Sequence, residues 1–324
     1  MSYIDDFLQD KLDVDAIEMN TYMAYGGDLK RFAKYFREHK NMSLEETIQK
    51  ITPKDIDDFK KWMAYNYENQ YAISTVNRTL GRIKQFNEYL IHEEITNNYF
   101  MKGVKKIKYN PKNEKIKRKK LKDFISKDEF NAMINACETG YRGGRDKWFN
   151  LPRNKFIISL MGSTGMRISE VVNMRLNMIS YVGKIPFITF TELDTKADIP
   201  KRVPICGKTL EFYKEYMEQR KKIQVIDEGY IILSSRGRQL DKEKINEFLE
   251  KLCKECNVHK HITNHCFRHL FSSVAHILGI SPVIINVIGG WSNDGNMQYM
   301  YAENGITDEV KIQTVQKIQD FLYE

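Results

Sequence analysis

Residues 102–122 read KGVKKIKYNPKNEKIKRKKLK: eleven basic side chains against one acidic, an Asn110-Pro111 break, and no helical spacing of apolar residues. A stretch like this has no apolar face to bury, so it reads as an extended linker between two domains. It sets the organisation of the chain: a block over 1–101, the basic linker over 102–122 and a second block over 123–324. The flanking blocks are nearly balanced, with 13 basic and 17 acidic side chains before the linker and 27 and 25 after it, so the linker's +10 exceeds the chain's net +8. A run of lysines is most simply a solvated face. Packing so much charge into one segment also costs self-repulsion that a polyanion relieves, which makes a strap across a phosphate backbone the sharper reading. Its contacts would be Lys105, Lys106, Lys108, Lys117, Arg118, Lys119 and Lys120. Lysine meets phosphate as a point charge, so any sequence preference must come from elsewhere.

Working outward, 324 residues suit two domains better than one. A 42% hydrophobic content is enough for two cores. Five cysteines, an odd number in a long chain, are no disulfide framework and suit a reducing compartment. The opening MSYIDDFLQDKLDVD is acidic and has no apolar run of the secretory kind. Residues 270–293 carry no Asp, Glu, Lys or Arg, a length that could span a bilayer. However, Ser272, Ser273, His276, Gly279, Ser281, Pro282, Asn286, Gly289 and Gly290 would all be costly in lipid. Two short buried helices fit better, the first stopping at Gly279, the second opening at Ser281-Pro282 and stopping at Gly289-Gly290. The expectation is a cytoplasmic protein with no membrane partner.

The first block reads as four helices: one over 15–39, one after the Ser43–Glu46 capping box, one opened by Thr52-Pro53, and one capped by Ser74 that runs through Val76, Leu80, Ile83, Phe86 and Leu90. Asn77, Arg78, Arg82 and Lys84 fall on other faces of that last helix, where they are either solvated or directed at a DNA groove. The second block opens with a capping box at Ser126–Glu129. A buried helix over 154–161 follows, then two strands at 185–191 and 203–205. Helices resume near 208–223 and 241–255, and 306–324 carries Val315, Ile318 and Leu322 on one face. The fold class is mainly α with a small antiparallel β-sheet.

Several chemistries fail on the residues. There is no GxxxxGK[ST] loop and no strand-linked GxGxxG, so nucleotide-driven chemistry has no support. Cys253-x-x-Cys256 with His259 and His261 invites zinc, but Leu249 and Leu252 share the helix, and Cys253 reads better as a small core residue. What remains is a set of cationic and hydrogen-bonding groups in the second block. Thr164-Gly165-Met166-Arg167-Ile168-Ser169-Glu170 puts an Arg just after a Gly turn. Asp194-Thr195-Lys196 sits in the strand turn, and Lys201-Arg202-Val203-Pro204-Ile205 closes the return strand. His265 and Arg268 lie one helical turn apart on one face. Gly289-Gly290-Trp291 ends a helix, and Tyr299 and Tyr301 follow. Each group alone is weak, and their order along the chain is the specific signal.

That order resembles the tyrosine recombinase family of phage integrases and Xer-type recombinases, whose signature runs Arg, Lys, His-x-x-Arg, His or Trp, Tyr. The similarity covers essentially the whole chain, because Ser74, Arg78, Phe86, Tyr89 and Leu90 also fit that family's helical core-binding domain. It implies a SAM-like core-binding domain joined to a catalytic domain, the two closing on DNA as a C-shaped clamp. The implied site is Arg167, Lys196, His265, Arg268, Trp291 and Tyr301, supported by Glu170, with Arg78 and Arg82 among the DNA contacts. Trp291 stands where most members have His, and an indole N–H can donate a hydrogen bond but cannot shuttle a proton. Tyr301 is preferred as nucleophile because Tyr-Ala-Glu at 301–303 resembles the family's ending; Tyr299 is the alternative.

The implied reaction also makes sense from the residue types. Forming phenolate at pH 7 from a phenol of pKa ~10 costs roughly 4 kcal/mol unless the site helps. Arg167 and Arg268 would clamp the nonbridging oxygens as planar forks, His265 and Trp291 would add hydrogen bonds, and Lys196 would protonate the departing 5′ oxygen. The resemblance implies neither metal nor cofactor, and no ATP. It implies double-stranded DNA carrying specific sites as partner, a homotetramer joined through the C-terminal helix 306–324, and accessory DNA-bending factors. A type IB-like topoisomerase and a catalytically silent DNA-binding regulator are the alternatives.

Overall fold

The structure is a computed structural model and describes residues 2–65, 71–108, 124–139, 146–195, 200–291 and 305–324. Lys117, Arg118, Lys119, Lys120, Lys196, Tyr299 and Tyr301 lie outside the described residues. The chain divides into two compact units, 1–118 and 119–324.

The first unit contains α1 (Tyr3–Asp13), α2 (Met19–Lys40), α3 (Leu44–Lys50), α4 (Pro53–Tyr65) and α5 (Ile73–His92). The sequence expectation of four helices missed α1. Ser2 and Asp5 form a reciprocal capping box at its start, and Ile4, Phe7 and Leu8 are buried on one face. Ser43 and Glu46 cap α3 as expected. Ser74 does not cap α5: that helix starts one residue before it, with Ala72 at the cap position and no side-chain bond. The core is aromatic, with Phe7, Phe32, Phe36, Phe59, Phe86 and Phe100 fully buried, and edge-on ring pairs such as Phe7–Phe86 at 5.4 Å.

The first part of the basic segment is tied to this unit. Phe100 and Met101, just before it, are buried in the aromatic core. Asn77 on α5 accepts from the Ile107 backbone N–H at 2.8 Å and donates to its carbonyl at 3.0 Å. Lys60 Nζ donates to the Lys105 carbonyl at 3.1 Å. Lys105, Lys106 and Lys108 remain exposed.

The second unit is built around α7 (Lys147–Thr164), which is buried on nearly every side, as expected of a helix without a polar face. Around it lie α6 (Lys127–Thr139), α9 (Gly207–Arg220) and α11 (Asn264–Ile277), with α8 (Ile168–Asn173), α10 (Lys242–Glu255) and α12 (Pro282–Gly289) completing the layer. The predicted pair of strands is a three-stranded antiparallel sheet in the order β1 (Ile179–Val182), β2 (Ile185–Phe190), β3 (Lys201–Pro204). In its register Phe190 faces Lys201 and Thr189 faces Arg202.

The last helix, α13 (Asp308–Tyr323), buries Val315, Ile318 and Leu322 in the core of its own unit. Gln319 accepts from the Thr209 N–H at 3.1 Å and donates to the Cys206 carbonyl at 3.0 Å. Arg202 of β3 pairs with Asp308 at the helix start. In the single chain, then, the face expected to be buried in a neighbouring subunit is already seated in cis. Among the described residues no helix is long and apolar enough to cross a membrane.

Candidate active site

Gly165 ends α7 at φ 64°, a left-handed turn that favours glycine. The chain then re-enters a helix, α8, with Arg167 at its N-terminal boundary. Glu170, in the first turn of α8, reaches back over that boundary. One carboxylate oxygen accepts from the Arg167 backbone N–H at 2.7 Å, the other from Arg167 Nη1 at 2.9 Å. The first oxygen also accepts from Lys201 Nζ at 2.6 Å. Glu170 is 1% exposed and the Lys201 side chain 0%, so this is a buried carboxylate held by two cations.

The C-terminal end of α12 supplies the opposite wall. Arg167 Nη2 donates to the Gly290 carbonyl at 2.8 Å, and Arg268 Nη1 donates to the Gly289 carbonyl at 2.9 Å and to the Gly165 carbonyl. Two guanidiniums from different helices are thus fastened to consecutive carbonyls at a helix C-terminus, the end whose dipole favours cations. Gly290 has φ 65°, and a β-carbon there would lie 3.1 Å from Lys201 Cδ and in contact with Arg167 Nη1 and Lys201 Nζ at 3.4 Å, so a side chain at this position would press on the lysine stem. The Arg268 guanidinium lies 4.2 Å from the Trp291 ring centroid, and Trp291 stacks on Phe271 at 5.9 Å. The indole therefore backs the arginine with its face, a cation–π contact that fixes the guanidinium plane.

The electrostatics follow from burial. Burial alone would raise the Glu170 carboxyl; Lys201 and Arg167 beside it, with the Arg167 N–H, hold it below its ordinary value. Burial pushes the Lys201 ammonium down to about 8 against the pull of Glu170, with Arg268 and Arg167 adding to the push. Burial and the neighbouring Arg167 lower Arg268 to about 10, so it is still charged at neutral pH. Three cations facing one carboxylate leave a net positive cluster. Two guanidiniums side by side are charge-assisted donors that suit an incoming anion.

The structure therefore brings together Arg167, Glu170, Arg268 and Trp291. His265 sits one turn before Arg268 on α11; it is exposed and borders an open cavity of about 870 Å³ that Lys260, His261 and Thr263 also line. Arg78 and Arg82 are committed elsewhere. In the first unit both bind Asp28, 2% exposed, together with Arg31, and Arg82 also lies 4.5 Å from the Tyr25 ring centroid. Arg82 is thereby largely a structural cation, while Arg78 keeps half its side chain exposed. Of the zinc candidates, Cys253 is core-buried and Cys256 donates to the Ala132 carbonyl; no group of three His, Cys, Asp or Glu among the described residues could hold a metal ion.

Lys201 is the residue that sequence reasoning missed. The sequence presents it only as part of the return strand, yet it shares a strand face with Val203, and both are buried. A lysine on the inward face of a strand demands a buried carboxylate, and that was the available signal.

Against known proteins, the phage integrase family model matches residues 123–305, and its N-terminal SAM-like domain matches residues 4–94. The chain belongs to the phage integrase family; it is a tyrosine recombinase. It is 28% identical over 254 residues to tyrosine recombinase XerC of Rickettsia canadensis (strain McKiel), covering 78% of this chain and 76% of that one. It shares its fold with the XerH site-specific recombinase bound to palindromic difH substrate in a post-cleavage complex, at 14% identity and TM-score 0.65 over 99% of this chain and 82% of that chain. A lambda integrase dimer bound to a COC′ core site matches similarly, at 14% identity and TM-score 0.64 over 93% of this chain and 94% of that one.

Proposed function

We propose that this chain is a site-specific DNA recombinase that cuts and rejoins DNA through a 3′-phosphotyrosyl intermediate. The observation that carries the reading is the cluster in which Arg167 and Arg268, on different helices, share the consecutive carbonyls of Gly289 and Gly290 and leave positive charge in excess. Such a cluster suits the charge that grows on the nonbridging oxygens when a phosphodiester is attacked. In the proposed step Tyr301 releases its phenol proton to water, its oxygen forms a bond to phosphorus, and the bond from phosphorus to the 5′ oxygen breaks. Lys196 gives that oxygen its proton. The tyrosyl ester keeps the energy of the broken bond, so a second 5′ hydroxyl can reverse the step without ATP. Tyr299 is the alternative nucleophile. His265 would reach the phosphate from the turn before Arg268, and Trp291 acts chiefly by backing Arg268.

We further assign residues 1–101 to DNA core-site binding, 102–122 to a linker along the phosphate backbone, and 123–324 to catalysis. The active assembly on DNA would be a homotetramer, with α13 leaving its cis seat for the equivalent seat on a neighbour. Relatives named as recombinases support this reading over a type IB-like topoisomerase. The test is to incubate the protein with DNA flanking its own gene and map covalent cleavage. Site-specific adducts carrying free 5′ hydroxyls are expected. Relaxation of supercoiled DNA lacking any such site would favour the topoisomerase, and no adduct at all would favour the silent regulator.

A further inference from the structure

We propose that Lys201 is a positioning residue for the recombination chemistry: by neutralising Glu170 from beneath, it fixes Arg167 on the scissile phosphate and makes cleavage depend on its own protonation. The proposal rests on the recombinase reading and deepens it. Lys201 is unsuited to touch DNA, because its side chain is 0% exposed and its ammonium is spent on Glu170 at 2.6 Å. Its effect passes through Glu170, whose carboxylate holds the Arg167 backbone at 2.7 Å and the guanidinium at 2.9 Å. The lysine stem is enclosed as well. Its ammonium lies 5.4 Å from the centroid of the Phe190 ring on β2, and the bare backbone of Gly290 closes the opposite side.

The charged groups around Lys201 come from each neighbouring element. Arg167 and Glu170 come from α8 and Arg268 from α11. From α13, which packs on β3, come Asp308, engaged by Arg202, and the buried Lys311. Among these described groups Glu170 and Asp308 are the negative ones, and Asp308 is taken by the neighbouring strand residue. The Lys201 ammonium is therefore held by one carboxylate against two guanidiniums, consistent with its lowered value of about 8. When it loses its proton, Glu170 keeps a full negative charge with Arg167 as its remaining partner. The guanidinium is then drawn inward and the cluster offers one positive charge fewer to the phosphate.

The test uses the full-length protein and a nicked suicide substrate carrying its mapped site, read as single-turnover covalent capture from pH 6.5 to 9.5, with DNA affinity measured in parallel. Wild-type capture should be level at the acid end and fall as pH rises through about 8. Lys201→Arg, which carries a charge that does not titrate, should capture at a rate near wild type at pH 7 and lose that fall. Lys201→Met should capture about 10²-fold more slowly at pH 7, the scale of losing one oxyanion donor, with the gap closing as pH rises through about 8 and with unchanged DNA affinity. A Lys201→Arg profile that falls as wild type does, or a Lys201→Met variant that cleaves at the wild-type rate at pH 7, would overturn the proposal while leaving the recombinase reading intact. If Lys201→Met does not fold, the Lys201→Arg profile alone decides. Absence of capture by wild type would overturn both.

Discussion

Among the described residues each unit buries one carboxylate and surrounds it with cations, and the two clusters differ in how those cations are held. In the first unit Asp28 is held by Arg31, Arg78 and Arg82 from helix faces, with Arg31 and Arg82 resting on the Tyr71 and Tyr25 rings. In the second unit Glu170 is held by Arg167 and by a lysine with no exposed surface, while main-chain carbonyls of Gly165, Gly289 and Gly290 hold the guanidiniums. Arg78, half exposed, can swing to water if the carboxylate is lost, while Arg82 is also held by the Ala24 carbonyl. In the second cluster the two guanidiniums are also tied to main-chain carbonyls, and the fully enclosed Lys201 rests on Glu170. The second cluster thus holds one cation with no exposed surface that depends on its carboxylate, whereas every arginine of the first keeps some exposed surface.

The largest expected effect tests whether the carbonyl-held arginine is chemical. Arg268→Ala should slow covalent capture by about 10²–10³-fold or more while leaving DNA affinity near wild type; a matching loss of affinity would make Arg268 a binding residue instead. Next comes stability. Glu170→Gln should destabilise the second unit by about 3–5 kcal/mol, because it leaves Lys201 buried without its counter-charge. Asp28→Asn should cost the first unit only about 1–2 kcal/mol, since its arginines reach solvent. Denaturant unfolding monitored in each unit measures both, and equal costs would erase the distinction drawn here.

Acid sharpens the same contrast. For Asp28, burial alone would raise the carboxyl, but Arg78, Arg31 and Arg82 hold it below its ordinary value; Glu170 is lowered as well. A carboxylate whose folded value is depressed stabilises above its unfolded value, and that stability is lost as pH falls through the folded one. Unfolding temperature should therefore drop as pH is lowered below about 4, and each Asn or Gln variant should show a shallower drop in its own unit. The smallest effect belongs to the exposed lysines. Replacing Lys105, Lys106 or Lys108 by Ala should weaken DNA binding equally across sequences and reduce the salt slope by about one per contact; an unchanged slope would leave these residues as a solvated face.

Much of this was legible from local chemistry. The Ser43–Glu46 and Ser126–Glu129 boxes mark true helix starts, and the stops at Gly279 and Gly290 divide the charge-free stretch into α11 and α12. Of the ordered series Arg167, Lys196, His265, Arg268, Trp291 and Tyr301, the structure gathers Arg167, Arg268 and Trp291 around the supporting Glu170, while Lys196 and Tyr301 lie outside the described residues. Other features were hidden for physical reasons. The first helix is short and acidic, so its apolar face of Ile4, Phe7 and Leu8 gives a weak periodic signal. Strand β1 has four residues, too few for alternation to emerge, and pairing with β2 is what makes it a strand. Lys201 looked like one more lysine in a basic chain, and only tertiary packing shows it facing Glu170. The length of 306–324 and its apolar face foretold a helix, but the choice between its own unit and a neighbour depends on surfaces that sequence does not display. Removing α13 strips Val315, Ile318 and Leu322 from the core, so its exchange is better tested by breaking the Arg202–Asp308 pair than by truncation.

The most direct test of the account is to digest the covalent protein–DNA adduct and identify by mass spectrometry the residue that carries the nucleotide. The account predicts a phosphodiester between Tyr301 and a DNA 3′ end, absent from Tyr301→Phe. Undiminished capture by Tyr301→Phe, or a nucleotide linked through its 5′ end, would contradict it.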